Sequence, residues 1–247
     1  MSLKHLKIDS DIEDTNTDVL PGSGFTLDTG LYEMVIDVGF MDTSDSGAEA
    51  LKLHLKMTDG SPQTLRTAFW VASGTKKGKK TFYVTKDGKK RSLPGFVQAS
   101  QVAEICATKA LADLTEEEKT IKLWNSTSQA EENTQIRYLP DLKDKPILVG
   151  VLKVRDNKVA LSGTIYEKQP EERFFNEVDK VFHPNGLSIT EKNAGAKTPD
   201  FRDRWAARYG SETVDRYEQV ANSQPDLPSH TSTEGTPVSS LFSSDDE

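Results

Sequence analysis

Residues 50–57 read ALKLHLKM, and this octapeptide decides the fold. Leu51, Leu53, Leu55 and Met57 fall on one side, and Lys52, His54 and Lys56 on the other. Side chains alternate across a strand, so a strict period of two marks a strand with one buried and one wet face. Asp59-Gly60 follows as a hairpin turn signal. The same pattern extends outward in both directions. GLYEMVIDVGF, residues 30–40, places Tyr32, Met34, Ile36, Val38 and Phe40 on one face, and MDTSDSG after it reads as a turn. LRTAFWV, residues 65–71, places Leu65, Phe69 and Val71 on one face and Arg66 and Trp70 on the other. Thr81 to Thr85 reads as a further strand, closed by a turn at Lys86-Asp87-Gly88-Lys89. Strands this short and this close predict an antiparallel sandwich or barrel.

After Pro94-Gly95 the period changes. Val102, Ile105, Cys106 and Leu111 suit one face of a helix over residues 98–112, and Glu116-Glu117-Glu118 reads as a solvated helix start. Strand character returns at TIKLW, residues 120–124, and at PILVGVLKVRDNKVAL, residues 146–161. In the second of these, apolar residues fill both faces, so the strand is expected to be central. Residues 174–182 read as another strand or an ordered extension. Thr198-Pro199 opens a short helix that carries Phe201, Trp205 and Tyr209 at helical spacing and stops at Gly210. Packing is the simplest role for these rings, with Arg202, Arg204 and Arg208 beside them. The expected organisation is an acidic flexible arm over 1–24, a folded domain over 25–190, a helical extension over 191–221 and a disordered acidic tail over 222–247. The tail contains no lysine or arginine and too little apolar surface to offset chain entropy.

The chain has 247 residues and a net charge of −8, so any affinity for nucleic acid must be local. A local source exists. GTKKGKKTFYVTKDGKKRS, residues 74–92, holds eight basic side chains: Lys76, Lys77, Lys79, Lys80, Lys86, Lys89, Lys90 and Arg91. Only Asp87 opposes them. Phe82 and Tyr83 lie in the middle, and Trp70 and Phe96 flank the block. Cations for a phosphate backbone and flat rings for unpaired bases are what single-stranded nucleic acid requires. Arg66 and Trp70 share a strand face that fits the same role. The plainer alternative is a solvated lysine-rich hairpin, with the aromatics in the core. Against it stands the mutual repulsion of so many cations unless an anion relieves it.

Other chemistries find less support. The single cysteine, Cys106, cannot form an intramolecular disulfide and fits a reducing compartment. Four scattered histidines and one cysteine give no zinc constellation, and no phosphate loop or nucleophile elbow is present, so neither metal nor cofactor is expected. Glu33, Asp37, Glu177 and Asp179 are conceivable carboxylates for a two-metal nuclease, but nothing singles them out. No apolar run approaches the ~20 residues that span a bilayer, and the N-terminus lacks a signal-like core. In the tail, Phe242 beside Asp245, Asp246 and Glu247 forms a short apolar-acidic motif. It suits docking on a basic pocket or folding back on the basic block; an inert solubilising tail is the alternative.

Taken in order, GLYEMVIDVGF, SGAEALKLHLKMTDG, LRTAFWV and KKGKKTFYVTKDGKKRSLPGF resemble the single-stranded DNA-binding proteins of tailed bacteriophages. FFNEVDKVFHPNGLSITE, residues 174–191, is similar to the segment after the barrel in that family. The resemblance covers residues 25–190. It implies a mainly β protein: an OB-like antiparallel barrel with an inserted helix, a long basic hairpin and a C-terminal helical extension. It also implies no enzymatic activity, a role in phage DNA replication, recombination and repair in the cytoplasm of an infected bacterial host, and room for a homodimer. The acidic tail is implied to recruit replication proteins such as polymerase or helicase-primase. Such tails often end on an aromatic or apolar residue, whereas here Phe242 is internal and Asp245-Asp246-Glu247 close the chain. A reading of a different class is a structural or adaptor protein whose basic hairpin contacts an acidic protein surface.

Overall fold

The computed structural model describes residues 26–125, 128–162 and 165–220. The expected acidic arm, the tail and the tail residues Phe242, Asp245, Asp246 and Glu247 lie outside them. The chain is mainly β. Three strands form a meander: β1 (Gly30–Thr43), β2 (Glu49–Met57) and β3 (Thr64–Ala72). Leu51, Leu53 and Leu55 are buried, as are Leu65, Phe69 and Val71, while Arg66 and Trp70 face water. The alternation in ALKLHLKM and LRTAFWV therefore holds.

In β1 it holds only halfway. Ile36 pairs with Leu55 and Val38 with His54, so Asp37 is an extra residue, a β-bulge. A bulge reverses the parity of everything after it. Met34 and Ile36 enter the main core, whereas Val38 and Phe40 join a separate cluster on the opposite face with Ile136 and Tyr138. The single apolar face expected over residues 30–40 is thus two half-faces. The Asp37 carboxylate accepts Lys143 Nζ at 2.9 Å and Lys56 Nζ at 3.0 Å. Burial pushes its pKa up, but the two lysines together outweigh burial and hold it below the usual range.

Helix α1 (Pro94–Ala107) follows the basic block. It starts and ends earlier than the sequence suggests. Pro94, ahead of the expected span, belongs to its first turn, and Thr108 stops it at φ +52°. Its buried face is Ala99, Val102, Ala103 and Cys106, and burial pushes the Cys106 thiol up to about 12. Leu111 lies in a separate short turn. Glu117 and Glu118, expected at a helix start, open strand β6 (Glu117–Asn125), which pairs with β7 (Ala130–Tyr138).

Two long strands complete the sheet, β8 (Pro146–Ser162) and β9 (Ile165–Phe182). β8 is paired along both edges: with β9 on one side, and with β1 and then β10 (Val214–Asp215) on the other. The eight-stranded sheet runs β10-β8-β1-β2-β3, with β9 on β8 and the β6–β7 hairpin on β1; all pairs are antiparallel except β10 with β8. The sheet does not close into a barrel. Between the edge strands β3 and β9 lies α1. Gln98 Nε2 donates to the carbonyls of Val178 (3.1 Å) and Asp179 (2.9 Å) on β9. On the other side, Gly95 rests against the backbone of Trp70 on β3.

After β9, α2 (Ile189–Asn193) begins on a capping box between Ser188 and Glu191. α3 (Asp200–Tyr209) turns Phe201, Trp205 and Tyr209 onto Leu148, Leu152, Val154 and Phe182, which bears out their packing role. Arg202, beside them, is held by Asp203. No helix among the described residues is long and apolar enough to cross a membrane.

Candidate nucleic-acid interface

The basic block is a separate two-stranded sheet, β4 (Phe82–Val84) with β5 (Lys90–Ser92). Its root is pinned at four points. Ser73 N donates to Lys80 O and Lys80 N to Ser73 Oγ, each at 2.9 Å; Leu93 N donates to Thr81 O and Thr75 N to Ser46 O, each at 2.8 Å. The last bond ties the block to the β1–β2 turn. Glycine is needed there: a Cβ on Gly74 would sit 2.7 Å from Ser46 O. Thr75–Lys77 form a short 3-10 turn that ends on Gly78 at φ +77°.

All eight block cations are exposed. Lys79 approaches Glu49 at 3.6 Å and Lys89 approaches Asp87 at 3.4 Å. Lys76, Lys77, Lys80, Lys86, Lys90 and Arg91 have no carboxylate within ion-pair distance among the described residues. Lys80 and Lys90 instead stand over the Phe82 ring, at 5.9 and 5.0 Å from its centre. Phe82 is half-buried, whereas Tyr83 is 44% exposed. Of the two rings, Tyr83 is the one open to a base.

The structure gathers most of the expected site residues. Trp70, 48% exposed, lines a groove of about 950 Å³ with Gly74, Thr75, Lys76, Lys77 and Leu93. An adjoining hollow of about 400 Å³ takes in Lys77, Lys80, Phe82 and Tyr83. Below Trp70 on the same face, Arg66 opens a third hollow towards β9. Lys86 and Lys89 lie at the hairpin tip, beyond these grooves, and Arg91 stands opposite Tyr83 on β5.

Three more polar groups continue this surface onto β2, and sequence reasoning did not place them in a site. Lys52, His54 and Lys56 face outward, with His54 paired to Arg66 and edge-on to Phe40 at 5.8 Å. Burial, then Arg66 and then Lys52 lower the His54 pKa, and Asp37 partly offsets them. The signal was present in ALKLHLKM as a wet face of two lysines and a histidine. Trp124 on β6 is 55% exposed, but the register turns it to the opposite face of the sheet.

Three of the four conceivable nuclease carboxylates are otherwise engaged, and the fourth, Glu33, is exposed. Asp37 is held by Lys56 and Lys143, Glu177 accepts Arg216 at 2.7 Å, and Asp179 accepts Trp205 Nε1 at 2.7 Å. Among the described residues, no three His, Cys, Asp or Glu side chains are grouped to hold a metal ion. Compared with family models, with curated proteins and with solved structures, the chain matches none.

Proposed function

We propose that the protein binds single-stranded DNA without sequence preference, on the surface formed by the β2–β3 face and the basic hairpin. The observation that carries this reading is the row of unpaired cations bordering two exposed rings, Trp70 and Tyr83. Cations follow the backbone and rings stack on bases of any identity, so the surface selects single strands rather than sequences. The strand order β3-β2-β1-β8-β9, with a helix across the open seam, supports an OB-like barrel left partly open. In such barrels the face of the second and third strands takes the nucleic acid, and that face here carries Lys52, His54, Arg66 and Trp70. On this reading the protein protects single strands during phage DNA replication, recombination and repair in the cytoplasm of an infected host. Its acidic tail then recruits replication proteins or competes for the cationic surface.

Titration with oligo(dT), followed by intrinsic fluorescence, tests the reading. Tight binding is expected at low salt. Replacing Lys76, Lys77, Lys79 and Lys80 together by Ala should weaken it by at least tenfold and leave thermal stability unchanged, because all four side chains are exposed. No binding at low salt, or full affinity in the quadruple variant, defeats the proposal. Capture of an acidic protein surface without affinity for DNA would point to the adaptor.

A further inference from the structure

A groove of about 670 Å³ runs between α1 and the root of the basic hairpin, where Thr81 and Ser92 line it. Its walls are largely apolar: Val71, Phe96, Val97, Leu111, Leu139 and Ile189. Three carboxylates, Glu49, Glu104 and Glu116, and two cations, Lys109 and Arg137, share its rim. Both cations are committed. Lys109 is held by Asp141 at 2.9 Å, and Arg137 reaches Glu116 at 3.6 Å and Glu49 at 3.9 Å. Glu104, half-buried on α1, makes no ion pair among the described residues. A carboxylate left alone beside apolar walls favours an occupant that brings a cation and apolar bulk together.

We infer that this groove seats residues 3–8 of the same chain, LKHLKI, with Leu3, Leu6 and Ile8 on the apolar walls and Lys4 or Lys7 on Glu104. Charge selects this segment. Of the two terminal segments outside the described residues, 1–25 and 221–247, only the first contains lysine or arginine, and both of its lysines lie among these apolar residues. The other offers Leu241-Phe242 among carboxylates, which Glu49, Glu104 and Glu116 would repel. Reach permits the contact. Residues 9–25 extend to roughly 56 Å, more than the roughly 40 Å width of a domain of this size. The tether also keeps the segment at a high effective concentration, so a modest contact suffices. Seating Ile8 has a consequence for the hairpin. The residues that follow carry Asp9, Asp11, Glu13, Asp14 and Asp18, and they leave the groove beside a hairpin with six cations that lack a carboxylate partner. There they compete with phosphate; this consequence, unlike the docking itself, rests on the single-strand binding reading above.

Zero-length carbodiimide cross-linking of the full chain, mapped by mass spectrometry on an equal mixture of ¹⁴N- and ¹⁵N-labelled protein, tests the docking. Lys4 or Lys7 should join Glu104 within one chain. Two variants leave all three reacting groups in place. Leu3→Ser with Leu6→Ser strips the segment of its apolar anchors, and Val97→Arg puts bulk and charge on the groove wall. Each should lower the yield by about tenfold or more, the factor for losing one buried leucine. Val97 is 43% exposed, so Val97→Arg should leave the melting temperature unchanged. No link to Glu104 in the wild type, an equal yield in both variants, or links only between ¹⁴N and ¹⁵N chains overturns the docking; the last result assigns the groove to a second copy. Oligo(dT) titration reads the competition separately. The Leu3→Ser, Leu6→Ser protein should bind several-fold more tightly than wild type at low salt. If the link forms and affinity is unchanged, the docking stands and the competition falls. If neither protein binds oligo(dT), the single-strand reading falls, and the cross-link still decides the docking.

Discussion

His54 sits where the cations of two strands converge, so its proton reports on the whole face. Arg66 faces it from β3, Lys52 and Lys56 flank it on β2, and Asp37 lies on β1. Its folded pKa lies below the ordinary value, so the unfolded chain takes up the proton more readily than the folded one. The stability that His54 contributes is therefore present above about pH 6.5 and is lost as pH falls below it. Free protein should melt at a lower temperature at pH ~5.5 than at pH ~7.5, and His54→Gln should reduce that difference. Phosphate on the face reverses the sign, because it favours the imidazolium. Oligo(dT) should bind more tightly at the lower pH, and His54→Gln should remove the gain; melting curves and titrations at both pH values check this pair. The lysines around His54 were legible in ALKLHLKM. Arg66 opposite it was not, because strand register couples residues distant in sequence, and a local period says nothing of what lies across the ladder.

At the scale of elements, α1 decides whether the sheet keeps its seam. Gly95 lies so close to β3 that a Cβ would stand 2.4 Å from Trp70 O and 2.6 Å from Trp70 N. Backbone cannot swing aside as a side chain can. Gly95→Ala should therefore cost about 1–3 kcal/mol, read as a lower urea midpoint, and should shift the Trp70 ring as well. In sequence, Pro94-Gly95 resembles a loop, because the same two residues serve as a breaker or as a first helical turn with a close neighbour. Two other elements were hidden for physical reasons. GLYEMVIDVGF alternates without a break through Asp37, so the bulge leaves no mark on the pattern. In AEENTQIRY the first six residues of β7 are exposed, which leaves no apolar face to count. Strands with one buried face were legible; β7, which offers none along most of its length, was not.

On the proposed reading, the net charge of −8 opposes DNA over the whole molecule and the cationic strip attracts it. Affinity should therefore depend steeply on salt. If about four cations meet phosphates, log affinity against log salt should have a slope near −3 for a single strand. Titrations between roughly 50 and 200 mM salt measure it, and a slope near zero would leave no role for the strip. The strip owes much of its charge to β4–β5, which shares no ladder with the eight-stranded sheet and buries none of its strand residues. Fold and charge are thus written in different parts of the chain. The hairpin is in effect an exchangeable cassette: its lysines can be thinned, swapped or inverted while the core reads the same instructions. Affinity can then be set over a wide range on one unchanged scaffold.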